Sequence, residues 1–105
     1  MLEKTLEASC CKRIQTTLGW KNIKVTSPHH PDRMFYKGGR YFWVEFKATW
    51  GELSPMQEFT IAELVKHGET VFVISTKEAF IKEVCEYARN IDARRVPEES
   101  HNLVG

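Results

Sequence analysis

Two acids and an amine stand out in the first half of the chain: Asp32 follows Pro31, and Glu45 and Lys47 flank Phe46. Between them lie two runs rich in aromatic and β-branched residues, Arg33 to Lys37 and Arg40 to Lys47, separated by Gly38-Gly39. A Gly-Gly pair in that setting predicts a two-residue hairpin. With such a loop Lys37 faces Arg40, and counting back along both runs sets Asp32 opposite Glu45. Opposed residues of an antiparallel pair project to one face with Cβ atoms roughly 5 Å apart. Alternation along the strand puts Lys47 on the same face. Two carboxylates held that close repel, and a cation between them relieves the repulsion. Oxygen donors with open positions suit a hard ion such as Mg²⁺ or Mn²⁺, which keeps waters and accepts phosphate oxygens. Lys47 would then polarise an attacking water or offset charge on a pentavalent phosphorus. The plainer alternative is a surface Glu/Lys pair beside a turn aspartate, because Glu-x-Lys alone is common.

The elements that must position these groups follow from periodicity. Leu2, Leu6, Cys10, Ile14 and Leu18 recur at four-residue steps before Gly19, which predicts an amphipathic helix with a glycine stop. Ile23 to Thr26 reads as a short strand, and Ser27-Pro28-His29-His30-Pro31 as an extended loop. On the second hairpin strand Phe42, Val44 and Phe46 form an apolar stripe for the core, opposite Glu45. Ser54-Pro55-Met56-Gln57 opens a helix with a serine cap, running to about His67 before Gly68. Val71 to Ser75 reads as an apolar strand internal to the sheet. Ser75-Thr76-Lys77-Glu78 reads as a capping box that starts a last helix reaching about Ala93. Residues 1–95 are expected to form a single α/β domain, with one helix over each face of the sheet and 96–105 as a frayed tail. Of Trp20, Trp43 and Trp50, Trp43 shares the face of Glu45 and is expected to pack under the first helix.

Composition narrows the class of function. The chain has 105 residues, 42% hydrophobic and 28% charged, close to globular averages. No apolar run approaches the ~20 residues of a spanning helix, and the acidic N-terminus lacks the apolar core of a secretory leader, so no membrane role and an intracellular location are expected. Three cysteines, with Cys10 and Cys11 adjacent on a helix, point to reduced thiols; no zinc-finger spacing occurs. The formal charge is +1, yet residues 10–50 carry eight basic side chains against Asp32 and Glu45, a distribution that can turn a cationic face to phosphates. His29-His30 beside the carboxylates offers a transition-metal alternative, against exposed loop histidines as the ordinary reading.

The order of these residues resembles a known family. Pro31-Asp32 followed by Glu45-Phe46-Lys47 is similar to the PD-(D/E)xK nuclease signature. Pro31-Asp32-Arg33-Met34, the Gly-Gly turn, Val44-Glu45-Phe46-Lys47-Ala48, Gly51-Glu52-Leu53-Ser54-Pro55-Met56-Gln57, then Leu64 to Gly68 and Val71 to Ile74 look like the VRR-NUC subfamily, of the small stand-alone phage and bacterial type. The resemblance covers residues 3–80. It implies a restriction-endonuclease-like core in the order helix, strand, hairpin, helix, strand, helix, with a central mixed sheet flanked by helices. It implies Asp32, Glu45 and the Phe46 backbone carbonyl as metal ligands for Mg²⁺ or Mn²⁺, with Glu7 on the first helix completing the set. Lys47 matches the catalytic lysine and Gln57 the active-site glutamine, although closing the helix cap on Ser54 is an equal role for Gln57. Lys24 and Arg33 are plausible phosphate contacts, with Lys12, Arg13, Lys37 and Arg40 as further DNA-binding candidates; ordinary solvation is the rival for each. The implied activity is a deoxyribonuclease that leaves a 5′-phosphate and a 3′-hydroxyl. It would act as a homodimer akin to Holliday-junction resolvases on branched or duplex DNA, with any helicase or packaging partner open. The sequence departs from the family at His29-His30, where a glycine is usual, which puts the loop's shape and DNA contacts in question. A catalytically silent DNA-binding module, a protein-interaction subunit and a sequence-specific restriction-like nuclease remain as alternatives.

Overall fold

The computed structural model describes residues 2–49 and 51–94. The expected tail and Trp50 lie outside the described residues. Helix α1 spans Glu3–Leu18 and buries Leu6, Cys10 and Ile14, the central members of the four-residue repeat. Leu2, expected on that stripe, stands before the first helical turn and is 76% exposed. Strand β1 (Lys21–Lys24) begins two residues earlier than its β-branched run predicts, because it pairs antiparallel with β2 (Arg33–Lys37) as Lys21↔Tyr36 to Lys24↔Arg33. Strand β3 (Arg40–Phe46) pairs with β2 in the predicted register, from Lys37↔Arg40 to Arg33↔Val44. Gly38 and Gly39 have φ of 55° and 80°. Positive φ at both central residues is the type I′ requirement, whose twist matches that of the flanking strands.

Helix α2 (Pro55–Lys66) starts as read from the sequence: Ser54 and Gln57 close a reciprocal capping box with Pro55 at its head. Strand β4 (Val71–Ile74) runs parallel to β3, giving a four-stranded mixed sheet in the order β1-β2-β3-β4. It is therefore an edge strand, against the expectation that an apolar run lies inside the sheet; Val73 is 44% exposed. The C-terminal helical run is α3 (Lys77–Ala79), a π-helical segment Phe80–Cys85 and α4 (Glu86–Ala93). Its cap is Thr76, one residue later than expected: the Thr76 side chain accepts from the Ala79 N–H. The π segment interrupts the uninterrupted α-helix that the sequence predicts and delivers Phe80, Val84 and Cys85 to the core.

Alternation divides the sheet into two faces. Phe35, Phe42, Val44, Phe46 and Ile74 lie on one and are completely buried against Leu6, Cys10 and Ile14 of α1 and Phe80, Val84 and Ala88 of the C-terminal run. Trp20 joins them, stacked on Phe42 with ring centroids 5.1 Å apart. Among the described residues two helical elements thus share this face and α2 alone approaches the other, so the expected one helix per face does not hold. Trp43 is placed on the α2 side by the same alternation, and α1 covers the opposite side. The three cysteines are free; burial pushes the Cys10 thiol up to about 12 and Cys11 to about 11, so both stay protonated. Among the described residues no helix is long and apolar enough to cross a membrane.

Candidate active site

Asp32 stands one residue before β2 and Glu45 one residue before the end of β3, so both sit where the hairpin ladder stops. Two crossed hydrogen bonds tie the two strand ends together there. The Asp32 N–H donates to Glu45 Oε1 at 3.1 Å, and the Phe46 N–H donates to Asp32 Oδ2 at 2.8 Å. The Asp32 carboxylate takes the place that a backbone carbonyl would fill in a continued ladder, and the pairing ends at Arg33↔Val44. An antiparallel strand turns a residue's N–H and C=O to the same side. By this rule the Phe46 carbonyl turns to the same side of the strand as its N–H, which donates to Asp32. Behind Asp32, its carbonyl accepts from the Val25 N–H at 2.9 Å, and Pro31 is buried, which anchors the loop against β1.

Glu45 is 2% exposed. Its Oε2 accepts from Gln57 Nε2 at 3.0 Å and lies 3.6 Å from Lys47 Nζ. Gln57 closes the helix cap and also contacts Glu45: Oε1 accepts from the Ser54 N–H at 2.9 Å while Nε2 donates to Glu45 Oε2. A helix cap thereby fixes a site side chain. Between β3 and α2 the chain turns sharply, the Gly51 N–H donating to the Ala48 carbonyl at 2.7 Å. A Cβ on Gly51 would stand 2.9 Å from that carbonyl oxygen, so only glycine permits this turn.

The electrostatics match the crowding. Burial first, and the Asp32 charge second, push the Glu45 carboxyl up to about 7; Lys47 and the Asp32 N–H pull it down but do not compensate. The site is short of positive charge. Among the described residues Asp32 Oδ1 makes no hydrogen bond, so it can accept a ligand. Oxygen donors, a charge deficit and an open acceptor fit a hard divalent cation, and the groups that would hold it are Asp32, Glu45 and the Phe46 carbonyl.

Glu7 does not join them. It is 7% exposed on α1, where its carboxylate accepts from Lys24 Nζ at 3.0 Å and from Arg33 Nε. Burial raises its pKa, but the hydrogen bonds and charges of Arg33 and Lys24 outweigh it and hold the carboxyl below 4.5. The reason is strand alternation: Arg33 is adjacent to Asp32 in sequence and so turns to the α1 face, across from Lys24. Among the described residues no group of three or more His, Cys, Asp or Glu side chains is arranged to hold a metal.

The basic candidates separate accordingly. Lys24 and Arg33 neutralise Glu7, and Arg33 also donates to Asn22 Oδ1 at 3.1 Å. Lys37 is engaged within the fold: its Nζ donates to the Leu18 carbonyl at the end of α1 at 2.7 Å and to Asp92 at 3.2 Å. Lys37 and Arg40 flank the hairpin turn, at the far end from Glu45 by about 17 Å of strand. Lys12 and Arg40 are exposed, whereas Arg13 is half-buried. In the loop before Asp32, His29 takes φ of 63°, the left-handed state that glycine adopts most freely. His30 Nδ1 lies 3.0 Å from the Pro28 carbonyl. Sequence reading missed Glu69, which accepts from Trp43 Nε1 at 2.9 Å and Tyr41 Oη at 2.8 Å and so fixes the indole beside the site. The signal was an acid just before β4, opposite two aromatics with polar tips. The chain matches no family model and no curated protein, so the reading of this site rests on its geometry and chemistry.

Proposed function

We propose that this chain is a divalent-metal-dependent deoxyribonuclease of the PD-(D/E)xK kind, hydrolysing DNA phosphodiesters at Asp32, Glu45 and Lys47. The observation that carries the reading is the pairing of a nearly fully buried Glu45, raised to about 7, with Asp32 at a deliberately interrupted ladder, beside a lysine. A structural role does not require acids to be pressed together, and such strain is characteristic of functional sites.

Asp32, Glu45 and the Phe46 carbonyl would hold Mg²⁺ or Mn²⁺, which supplies Lewis-acid stabilisation of the phosphate and of the attacking oxygen. Gln57 holds the Glu45 carboxylate so that it need not reorganise when the substrate arrives. Lys47 Nζ, 15% exposed in its side chain, orients the nucleophilic water and offsets negative charge on the non-bridging oxygens. The water oxygen forms the new bond to phosphorus, the bond from phosphorus to the 3′ oxygen breaks, and that oxygen takes up a proton. The products are a 5′-phosphate and a 3′-hydroxyl. As a small domain with little surface left for reading bases, it is proposed to select branched or otherwise structured DNA, as a homodimer.

The test is incubation of the folded protein with branched, flapped and linear duplexes in Mg²⁺ or Mn²⁺, beside Asp32→Ala and Glu45→Ala. Metal-dependent cutting that both substitutions abolish is the expected outcome. Salt-sensitive binding without cutting of any substrate would make the chain a silent DNA-binding module.

A further inference from the structure

Between the loop before Asp32 and helix α2 lies an open pocket of about 280 Å³ lined by His30, Phe59, Thr60, Glu63, Leu64 and His67. We infer that it is a nucleobase subsite, which receives one unstacked base of the strand whose phosphate lies at Asp32 and Glu45. The inference rests on the nuclease reading for the position of that phosphate. Its size is slightly below the roughly 300–1,000 Å³ typical of small-molecule sites, which suits a single ring system rather than a whole cofactor.

The chemistry of the lining is that of a base. Phe59 is 61% exposed, one of the large apolar side chains that the described residues leave open to solvent. It and the two imidazoles offer flat π faces for stacking. Thr60 Oγ1 and the Glu63 carboxylate supply a hydroxyl and an acceptor for the base edge, and Glu63 Oε2 lies 3.8 Å from His67 Nε2. Behind His30 stands Trp43, with ring centroids 6.3 Å apart, and its indole is fixed by Glu69.

Position makes the assignment specific to the bound strand. His30 is two residues before Asp32. Thr60 is three residues after Gln57, about 4.5 Å along α2, and Gln57 holds Glu45. The pocket therefore lies along both elements that build the site and begins one helical turn beyond Gln57. A duplex offers no free π face there, so the subsite favours junctions, flaps and other DNA in which one base next to the cut is unpaired.

The experiment pairs substrate and protein changes. A flapped duplex is prepared with an abasic spacer at each position around the cut in turn, and its binding in chelator is measured by anisotropy for the unaltered protein and for Phe59→Ala. Removing one base next to the cut should weaken binding about tenfold, Phe59→Ala should weaken the intact substrate by a similar factor, and the two together should do no more than either alone. Position-independent losses, or losses that multiply, overturn the subsite. A Phe59→Ala protein that loses a sedimentation dimer with no abasic effect also overturns it and gives the surface to a second copy of the chain. Wild-type protein that shows the base effect but cuts nothing in Mg²⁺ or Mn²⁺ refutes the catalytic reading and leaves the subsite standing. Because Phe59 is exposed, its truncation leaves the core intact, and unchanged circular dichroism confirms that the variant is folded.

Discussion

Glu45→Gln tests the crowding of the two acids through the pH dependence of stability in the metal-free protein. Burial and the Asp32 charge raise the Glu45 carboxyl from 4.5 to about 7. Between those values the folded protein holds a proton that the unfolded chain has released. Stability therefore falls as pH rises through this window, by up to about 1.4 kcal/mol per pH unit and by about 3 kcal/mol in total at most. Above it both states are ionised and the loss is complete. An amide does not titrate, so the slope disappears in the variant. The amide also has a cost: Glu45 accepts from both the Asp32 N–H and Gln57 Nε2, and an NH₂ group must face one of these donors. That conflict costs about 1–3 kcal/mol at every pH. The expected pattern is a variant less stable than the parent at pH 5 that gains on it toward pH 8. Urea unfolding by tryptophan fluorescence in chelator, at half-unit steps from pH 5 to 8 with slopes compared, reads this directly. A parent midpoint that stays level or rises between pH 5 and 7, or a variant that keeps the parental fall, refutes the crowded-acid account.

Arg33→Met leaves the nearly buried Glu7 carboxylate with Lys24 alone, whose side chain is 52% exposed, and is expected to cost about 2 kcal/mol in urea. Because the folded pKa of Glu7 is held below 4.5, its stabilisation is lost as pH falls through that lowered value; acid titration by circular dichroism should show Arg33→Met unfolding at higher pH than the parent. Lys47→Met should reduce the cleavage rate by about 100-fold or more with the fold retained, read as kcat on a flapped duplex. Gln57→Ala opens the α2 cap and removes a donor from Glu45, so thermal unfolding at pH 8 should show a loss of about 1–2 kcal/mol together with impaired cutting.

Local rules carry much of this protein. The hairpin, its register and the opposition of Asp32 and Glu45 follow from Gly38-Gly39 and period-two alternation, because a two-residue turn leaves the strands no freedom to slip. The α2 cap follows from Ser54, Pro55 and Gln57, since a capping box is satisfied within four residues. Non-local facts behave differently. That β4 adds at the edge beside β3 depends on which strand offers an open ladder, and an apolar run reads alike at an edge or in the middle.

What the sequence by itself determined is the constellation: two acids and an amine on one face of a hairpin, with an apolar stripe on the other. Only the tertiary structure decided where the remaining charges went. α1 shares its face with the C-terminal run, so Glu7 meets Lys24 and Arg33 rather than Asp32, and Lys37 closes the end of α1 against Asp92. The physical reason is that alternation fixes which way a strand residue points, whereas the partner waiting there is set by helix packing across the whole chain. The same packing leaves α2 without a buried residue and Phe59 facing outward, which no local pattern announces.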